Sequence, residues 1–554
     1  MSAKLRIPAI VLLLVALAGL ILLLARPRLD PWGNHPMRLI AAAWVIFFCA
    51  AWLVRRTAVR VAVGLILVGG IAFQVAALAG PPQNSTDMYR YMWDGRVQVA
   101  GIDPYLYPPG AAGVAGLRNS FLWSAPGSAH HTSCVPEKPD PADPADALVA
   151  GCTKINRAAD PTIYPPVAEA YFAAVQLAAP ADDSTTPLQA AAAGFAVLVT
   201  VLLLFGLRGL GRDPRLAVLW AWCPTVPLEA GQNAHVDVVA AAFTLAALLL
   251  LARARTKGRI LTGGALLGLA IATKPTPVLV LPAVLRRGWV LISTAAVTAI
   301  TVVYVPHVLA AGSKIIGFLP GYLNQEGYDS GTEFKVIGLF VPGKAATLVA
   351  VLILGVIALA ILRWGDPDQP WRGGVLMTSA ALAVTTPHYQ WYAILLVMLV
   401  ALDGQAEWLL IAAGAYLANT EAVHIHGTVL DNAAVVGYGG GAAAACIVTL
   451  TRYLITRRQA RTPERVPVAE PAALTAASTT PVTAFSPVKS AVASTGPATA
   501  AQDPVSYGVP PWEPAPDPVL EPTAVYAGPL AADPGRASYR VLTGGEMSGQ
   551  DGRR

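Results

Sequence analysis

Charged side chains are scarce in this sequence. Only 13% of its 554 residues are Asp, Glu, Lys or Arg, while 55% are hydrophobic, and the mean hydropathy is +0.54. A water-soluble globule needs a more polar surface, so that class is excluded. Cysteine is sparse as well. There are five and no CxxC pair, which removes the common structural zinc pattern. Nor is there a basic surface for nucleic acid: the net charge of +6 comes from short basic clusters between apolar runs, a pattern that reports membrane topology. The first apolar run, residues 7–25, lacks a small-residue cleavage site and is as long as a span, so it reads as a retained helix.

Apolar runs near span length are abundant. They cover residues 7–25, 39–54, 59–79, 188–207, 216–228, 235–251, 260–273, 278–285, 290–310, 347–362, 375–385, 389–402, 408–417 and 433–455. A span needs roughly 20 apolar residues, fewer when tilted or re-entrant, so the chain is expected to make about 12–14 crossings. The predicted fold class is an all-α polytopic membrane protein. Clusters at Arg55, Arg56 and Arg60, at Arg208, Arg212 and Arg215, at Arg253, Arg255, Lys257 and Arg259, at Arg286 and Arg287, and at Arg457, Arg458 and Arg461 alternate sides if all are cytoplasmic. The short loop with Arg26, Arg28 and Arg38 dissents. This topology predicts a multi-pass plasma-membrane protein with a cytoplasmic N-terminus and tail. Residues 1–80 form three spans, 81–186 a large first extracytoplasmic loop, and 187–458 the remaining bundle. Residues 459–554, rich in Pro, Ala, Thr and Ser without apolar periodicity, form a tail expected to be disordered. Its Pro510-Pro511-Trp512-Glu513-Pro514 island is a candidate docking motif for a protein partner, although a Pro-rich tail often carries such an aromatic without that role.

The loop opens on Ser85-Thr86-Asp87-Met88-Tyr89-Arg90-Tyr91-Met92-Trp93-Asp94-Gly95-Arg96. As a helix it would put Asp87, Arg90, Tyr91 and Asp94 on one face, with Tyr89, Trp93 and Arg96 on a neighbouring face suited to the membrane interface. Farther on come Tyr107-Pro108-Pro109, Asn156-Arg157 and Tyr164-Pro165-Pro166; the prolines stiffen corners. Cys134 and Cys152 share the loop, and in an oxidising compartment they could pair, although spacing alone does not fix the geometry.

Ionisable groups inside apolar spans are costly, so each needs a partner or a function. Glu229-Ala230-Gly231-Gln232-Asn233-Ala234-His235-Val236-Asp237 lies between two spans, and the helix it opens presents unpaired backbone donors suited to a phosphate, or else uses Asn233 as a cap. Lys274-Pro275-Thr276-Pro277 interrupts an apolar pair, leaving Lys274 inside the bilayer, either against a carboxylate or aimed at an anion such as a lipid phosphate. His388, beside Gln390, Trp391 and Tyr392, sits at a helix boundary, where an aromatic belt explains the aromatics alone. Glu421, His424, His426 and Asp431 have a spacing that could suggest a metal, but none is expected.

Taken together, Asp87-x-Tyr89-Arg90-Tyr91-x-Trp93-Asp94-Gly95-Arg96, Gly101-Ile102-Asp103-Pro104-Tyr105, Thr162-Ile163-Tyr164-Pro165-Pro166, Asn233-x-His235-x-Asp237 and Lys274-Pro275 resemble the GT-C glycosyltransferases that use polyprenyl-phosphate sugars. The pattern is most similar to actinobacterial polyprenol-phosphate-mannose-dependent mannosyltransferases, glycosyltransferase family 87 and its relatives. The resemblance implies a GT-C-type bundle and inverting transfer of a sugar, mannose, from a polyprenyl-phosphate lipid to an extracytoplasmic cell-envelope glycan or lipoglycan, with no cofactor or metal. It implies Asp87 as general base, with Asp94 as substitute or as partner to Arg96. His235, the helix end at Asn233 and Lys274 fall to the phosphate, and His388, Tyr164 and Trp391 to sugar or acceptor. Arg90, Tyr91, Arg96, Asn156, Arg157, Gln232 and Asp237 complete the candidate substrate-binding set. A lipid-linked sugar flippase or transporter also has broken helices and buried charges, and arabinose is an alternative donor sugar.

Overall fold

Helices long and apolar enough to cross a bilayer set the architecture. The structure is a computed structural model that describes residues 3–29, 36–124, 152–180, 183–418 and 433–461. These lie in a compact unit spanning Met1–Arg465. The expected disordered tail and its Pro-rich island fall outside the described residues apart from the last helical turn, as do Cys134, the side chain of Cys152, and the group from Glu421 to Asp431.

Three helices open the chain, α1 (Ala3–Ala25), α2 (Pro36–Val54) and α3 (Val59–Ala77). The following loop carries α4 (Asp87–Val99), a two-residue antiparallel strand pair, Trp123–Ser124 with Cys152–Thr153, and α5 (Pro166–Ala178). Pro165 caps α5 and Pro166 sits at its first position, where a missing N–H costs nothing. Gly95 lets α4 and α5 meet backbone to backbone: a Cβ there would lie 2.6 Å from the Phe172 carbonyl oxygen.

The bundle continues through α6 (Thr186–Gly209), the short α7 (Val218–Ala221), a π-helical turn at Val226–Gln232 and α8 (Asp237–Leu251). Next come α9 (Lys257–Ile271), α10 (Leu281–Val284), α11 (Trp289–Ala311), α12 (Leu319–Gln325) and α13 (Lys335–Gly338). The chain closes with α14 (Lys344–Trp364), α15 (Pro370–Thr385), α16 (Ile394–Asp403), α17 (Leu409–Ala418) and α18 (Gly441–Arg461).

Among the described residues, seven helical segments are long and apolar enough to cross a membrane singly, or eight if the pair Val226–Gln232 and Asp237–Leu251, bent by 115°, is one span. The other expected crossings are shorter helices such as α9, α15, α16 and α17, 10 to 16 residues long. Pro370 opens α15 and Gly404 closes α16. Burial divides the helices. Every residue of α16 is buried, whereas α11 and α14 expose apolar side chains such as Val302 and Leu309, Val356 and Leu359. A surface of that kind is stable against hydrocarbon, not water.

Candidate active site

Asp87 opens α4, where its amide donates to Ser85 Oγ at 3.1 Å and its carboxylate sits at the positive end of the helix dipole. That end faces a cavity of about 740 Å³. Six of the predicted site residues line it: Asp87, Asn156, Arg157, Tyr164, Lys274 and Trp391. Asn156 Nδ2 donates to Asp87 Oδ1 at 2.7 Å, and the Asp87 side chain keeps 16% exposure toward the cavity.

Arg157 adopts φ 48°. Its guanidinium donates to Gln325 at 3.2 Å, pairs with Glu326 at 3.4 Å and lies 5.2 Å from the Tyr322 ring centre. Lys274 combines its two expected settings: Nζ donates to Asp237 Oδ2 at 2.7 Å, and the side chain also lines the cavity, 5.3 Å from the Tyr392 ring centre. Trp391 stacks on Tyr389 at 4.4 Å and on His235 at 3.9 Å, making a flat aromatic wall.

His235 is fully buried behind that wall. Its Nδ1 is 3.8 Å from Asp87 Oδ2 and its Nε2 is 3.8 Å from Glu229 Oε2. The backbone reaches this arrangement through the π-helical turn and the left-handed Ala234, φ 51°. Such conformations need support from the surrounding structure.

Several expectations are corrected. Asp94 does not line the cavity. It is 1% exposed and bound by Arg90 Nε at 2.9 and 3.0 Å, so its partner is Arg90, not Arg96. Arg96 pairs with Asp183 at 2.6 Å. The shared face of α4 therefore splits: Asp87 turns to the cavity while Arg90, Tyr91 and Asp94 turn to the protein core. Arg90 also donates to the carbonyls of Arg157 and Asp160 at 3.3 and 3.1 Å, and Tyr91 stacks on Phe172 at 4.3 Å. Trp93, expected at the membrane interface, is buried and packs on Trp123. The physical reason lies in chain distant in sequence: residues 152–180 cover Arg90, Tyr91 and Asp94, while Trp123 and Asp183 take up Trp93 and Arg96.

Asn233 is not the N-cap of α8 but closes the π-helical turn, and it does not line the cavity. Its Oδ1 accepts from the amides of Gln83 and Asn84 at 3.0 and 3.3 Å, and Val236 holds the N-cap position of α8. Gln232 donates to the Pro81 carbonyl at 3.2 Å. Both pin the segment leading to Asp87. His388 lies outside the cavity lining, with Glu333 at 3.7 Å and Lys335 Nζ at 3.4 Å. Among the described residues, Glu326, Glu333 and His388 form the one group that could hold a metal ion, with ligand atoms within 4.8 Å of one another. Arg157 and Lys335 already supply positive charge there.

Beneath the cavity, Asp94 and Glu169 form a buried carboxyl pair. Thr162 Oγ1 and Gln98 Nε2 donate to Glu169 at 2.7 and 2.8 Å. Burial raises both carboxyls above their usual range, and the Asp94 charge raises Glu169 further. The candidate set omitted Glu229, Gln390 and Tyr416. The signal for Glu229 was present, a carboxylate inside an apolar run; its distant donors Gln390 and Tyr416 were visible only in the folded chain.

The fold and site together define an all-α polytopic membrane protein whose helices frame a polar, aromatic-walled cavity. Residues 162–387 match glycosyltransferase family 87, a match that supports a glycosyltransferase. No curated protein and no solved structure matches the chain. The matched region contains Tyr164, Glu229, His235, Asp237 and Lys274 but not Asp87, Asn156 or Trp391.

Proposed function

We propose that the protein is an inverting mannosyltransferase that takes mannose from a polyprenyl-phosphate donor and passes it to a cell-envelope glycan or lipoglycan on the extracytoplasmic side of the plasma membrane. The observation behind this reading is the Asp87 carboxylate, held by Asn156 on one oxygen and open to a cavity that also holds Lys274, Arg157 and an aromatic wall. The acceptor hydroxyl attacks the anomeric carbon while Asp87 takes its proton. The bond to phosphate breaks with its electron pair on the phosphate oxygen, and the two cations stabilise that charge. A single displacement inverts the anomeric centre. Tyr389, backed by Trp391, offers a flat surface for a sugar face, and the edge of Trp391 reaches the cavity beside it. Neither cofactor nor metal enters this scheme.

The test is transfer from radiolabelled polyprenyl-phosphate mannose in membranes, wild type against Asp87→Asn at matched expression. Label is expected in an endogenous glycan with wild type, and its rate should fall at least about 100-fold in the variant. Equal transfer by both would remove Asp87 from the chemistry. Failure of well-folded wild type to transfer either mannose or arabinose would overturn the transferase reading in favour of movement of lipid-linked sugars.

A further inference from the structure

The bend between the π-helical turn and α8 encloses a buried imidazole between two carboxylates. Neither nitrogen of His235 has a hydrogen-bond partner, although an unpaired buried polar atom is costly. Its ring is clamped against Trp391 at 3.9 Å and 21° between planes, so its two edges cannot exchange places. One edge faces Asp87 and the other faces Glu229, at 3.8 Å each.

Glu229 is fully buried. Its Oε1 accepts from Gln390 Nε2 at 3.0 Å and from the Tyr416 hydroxyl at 3.1 Å, and its Oε2 accepts from Asn233 Nδ2 at 3.1 Å. These donors are all neutral. Among the described residues, the one ionic partner of Glu229 is His235, while the nearby Lys274 is engaged by Asp237. A buried carboxylate with neutral donors alone is poorly compensated, and an imidazolium beside it would supply the missing charge.

We infer that His235 relays the proton that Asp87 takes from the acceptor, and that Glu229 is the positioning residue that holds His235 in the Nε2–H tautomer with Nδ1 facing Asp87. The inference rests on the transferase reading. In the reaction the acceptor oxygen bonds to the anomeric carbon and the carbon–phosphate oxygen bond breaks, leaving its electron pair on phosphate. The hydroxyl proton passes to Asp87 Oδ2 and on to His235 Nδ1, while the Nε2 proton remains directed at Glu229. Asp87 returns to its carboxylate form before product leaves, and the imidazolium, which does not reach the cavity, then passes its proton back through Asp87 to water there. Each 3.8 Å gap exceeds a hydrogen-bonded separation by roughly 1 Å, a closure of the kind catalytic pairs make when substrate fills a site.

Glu229→Gln tests the relay in full-length protein in lipid nanodiscs. The amide oxygen still accepts from Gln390 and Tyr416, while the amide nitrogen removes the acceptor for Asn233 Nδ2 and presents a donor to His235 Nε2, so thermal unfolding of the variant accompanies its kinetics. With polyprenyl-phosphate mannose as donor, kcat is expected to fall about 10- to 100-fold with the donor KM unchanged. Glu229→Asp, which keeps the charge, should recover part of that loss. The ¹⁵N spectrum of histidine-labelled protein, with the His235 signal assigned by its loss in His235→Gln, should change tautomer in Glu229→Gln. A folded Glu229→Gln with kcat within about twofold of wild type, a Glu229→Asp no more active than Glu229→Gln, or an unchanged His235 signal would each overturn the relay while leaving the transferase reading intact. Inactive wild type strikes the transferase reading instead, and the spectrum, which needs no turnover, still decides whether Glu229 sets the tautomer.

Discussion

Asp87 differs from Asp94 in surroundings, not in chemistry. Both are carboxylates on α4, seven residues apart. Asp87 keeps one oxygen against Asn156 and an exposed edge on the cavity, whereas Asp94 is enclosed and bound by Arg90. No property of the two residues in the sequence separates them; the chain that folds over α4 does. Lys274 carries a similar lesson, because the cavity and the carboxylate proved not to be alternatives. Its Asp237 pair is buried, so removing one partner strands the other charge. Lys274→Met is expected to destabilise the protein by about 3–5 kcal/mol, and adding Asp237→Asn should recover most of the loss. Thermal unfolding of the two variants in nanodiscs checks this, and a double variant no more stable than the single would show that the pair contributes little.

At the scale of elements, α4 is anchored through its buried face. Arg90 holds the carbonyls of Arg157 and Asp160, next to the Asn156 that orients Asp87, and Gln98 ties α4 to Glu169 on α5. The segment that carries the candidate base is thus fixed by a polar network below it. That network has a pH signature. The folded-state pKa of Glu169 is raised well above its ordinary value by burial and then by the Asp94 charge. A raised carboxyl contributes stability that is fully present below its unfolded pKa of about 4.3 and lost as pH rises through the folded pKa. The thermal midpoint of wild type should therefore fall as pH is raised above that value, and Glu169→Gln should flatten the slope. A Glu169→Gln slope as steep as that of wild type would locate the titration elsewhere, with Asp94 next in line. Periodicity in the sequence located the helix but not this network, since half of it comes from residues about 70 positions away.

The described residues form a bundle whose inner helices, α8 and α16, are enclosed while α11 and α14 present apolar side chains outward. The chain's low charge made its membrane class legible, and its basic clusters suggested an orientation. In a background lacking the five cysteines, Ala178→Cys on the exposed end of α5 should react with a membrane-impermeant maleimide in intact cells. Ala58→Cys, exposed at the start of α3 beside the basic cluster, should react only after permeabilisation. The reverse pattern would place the cavity on the cytoplasmic face and exclude an extracytoplasmic acceptor.

Composition and patterning by themselves determined the class of this protein, the presence of most of its helices and the places where polar residues interrupt them, because each follows from a local cost: apolar area in water, or charge in hydrocarbon. Tertiary structure alone decided which of those polar residues meet. Asp87, Asn156 and His235 converge from distant parts of the chain, while Asp94, Arg96, Asn233 and His388, near in sequence to the others, turn away. Contact depends on how the loop and the bent span fold over one another, and a one-dimensional pattern does not encode that distance.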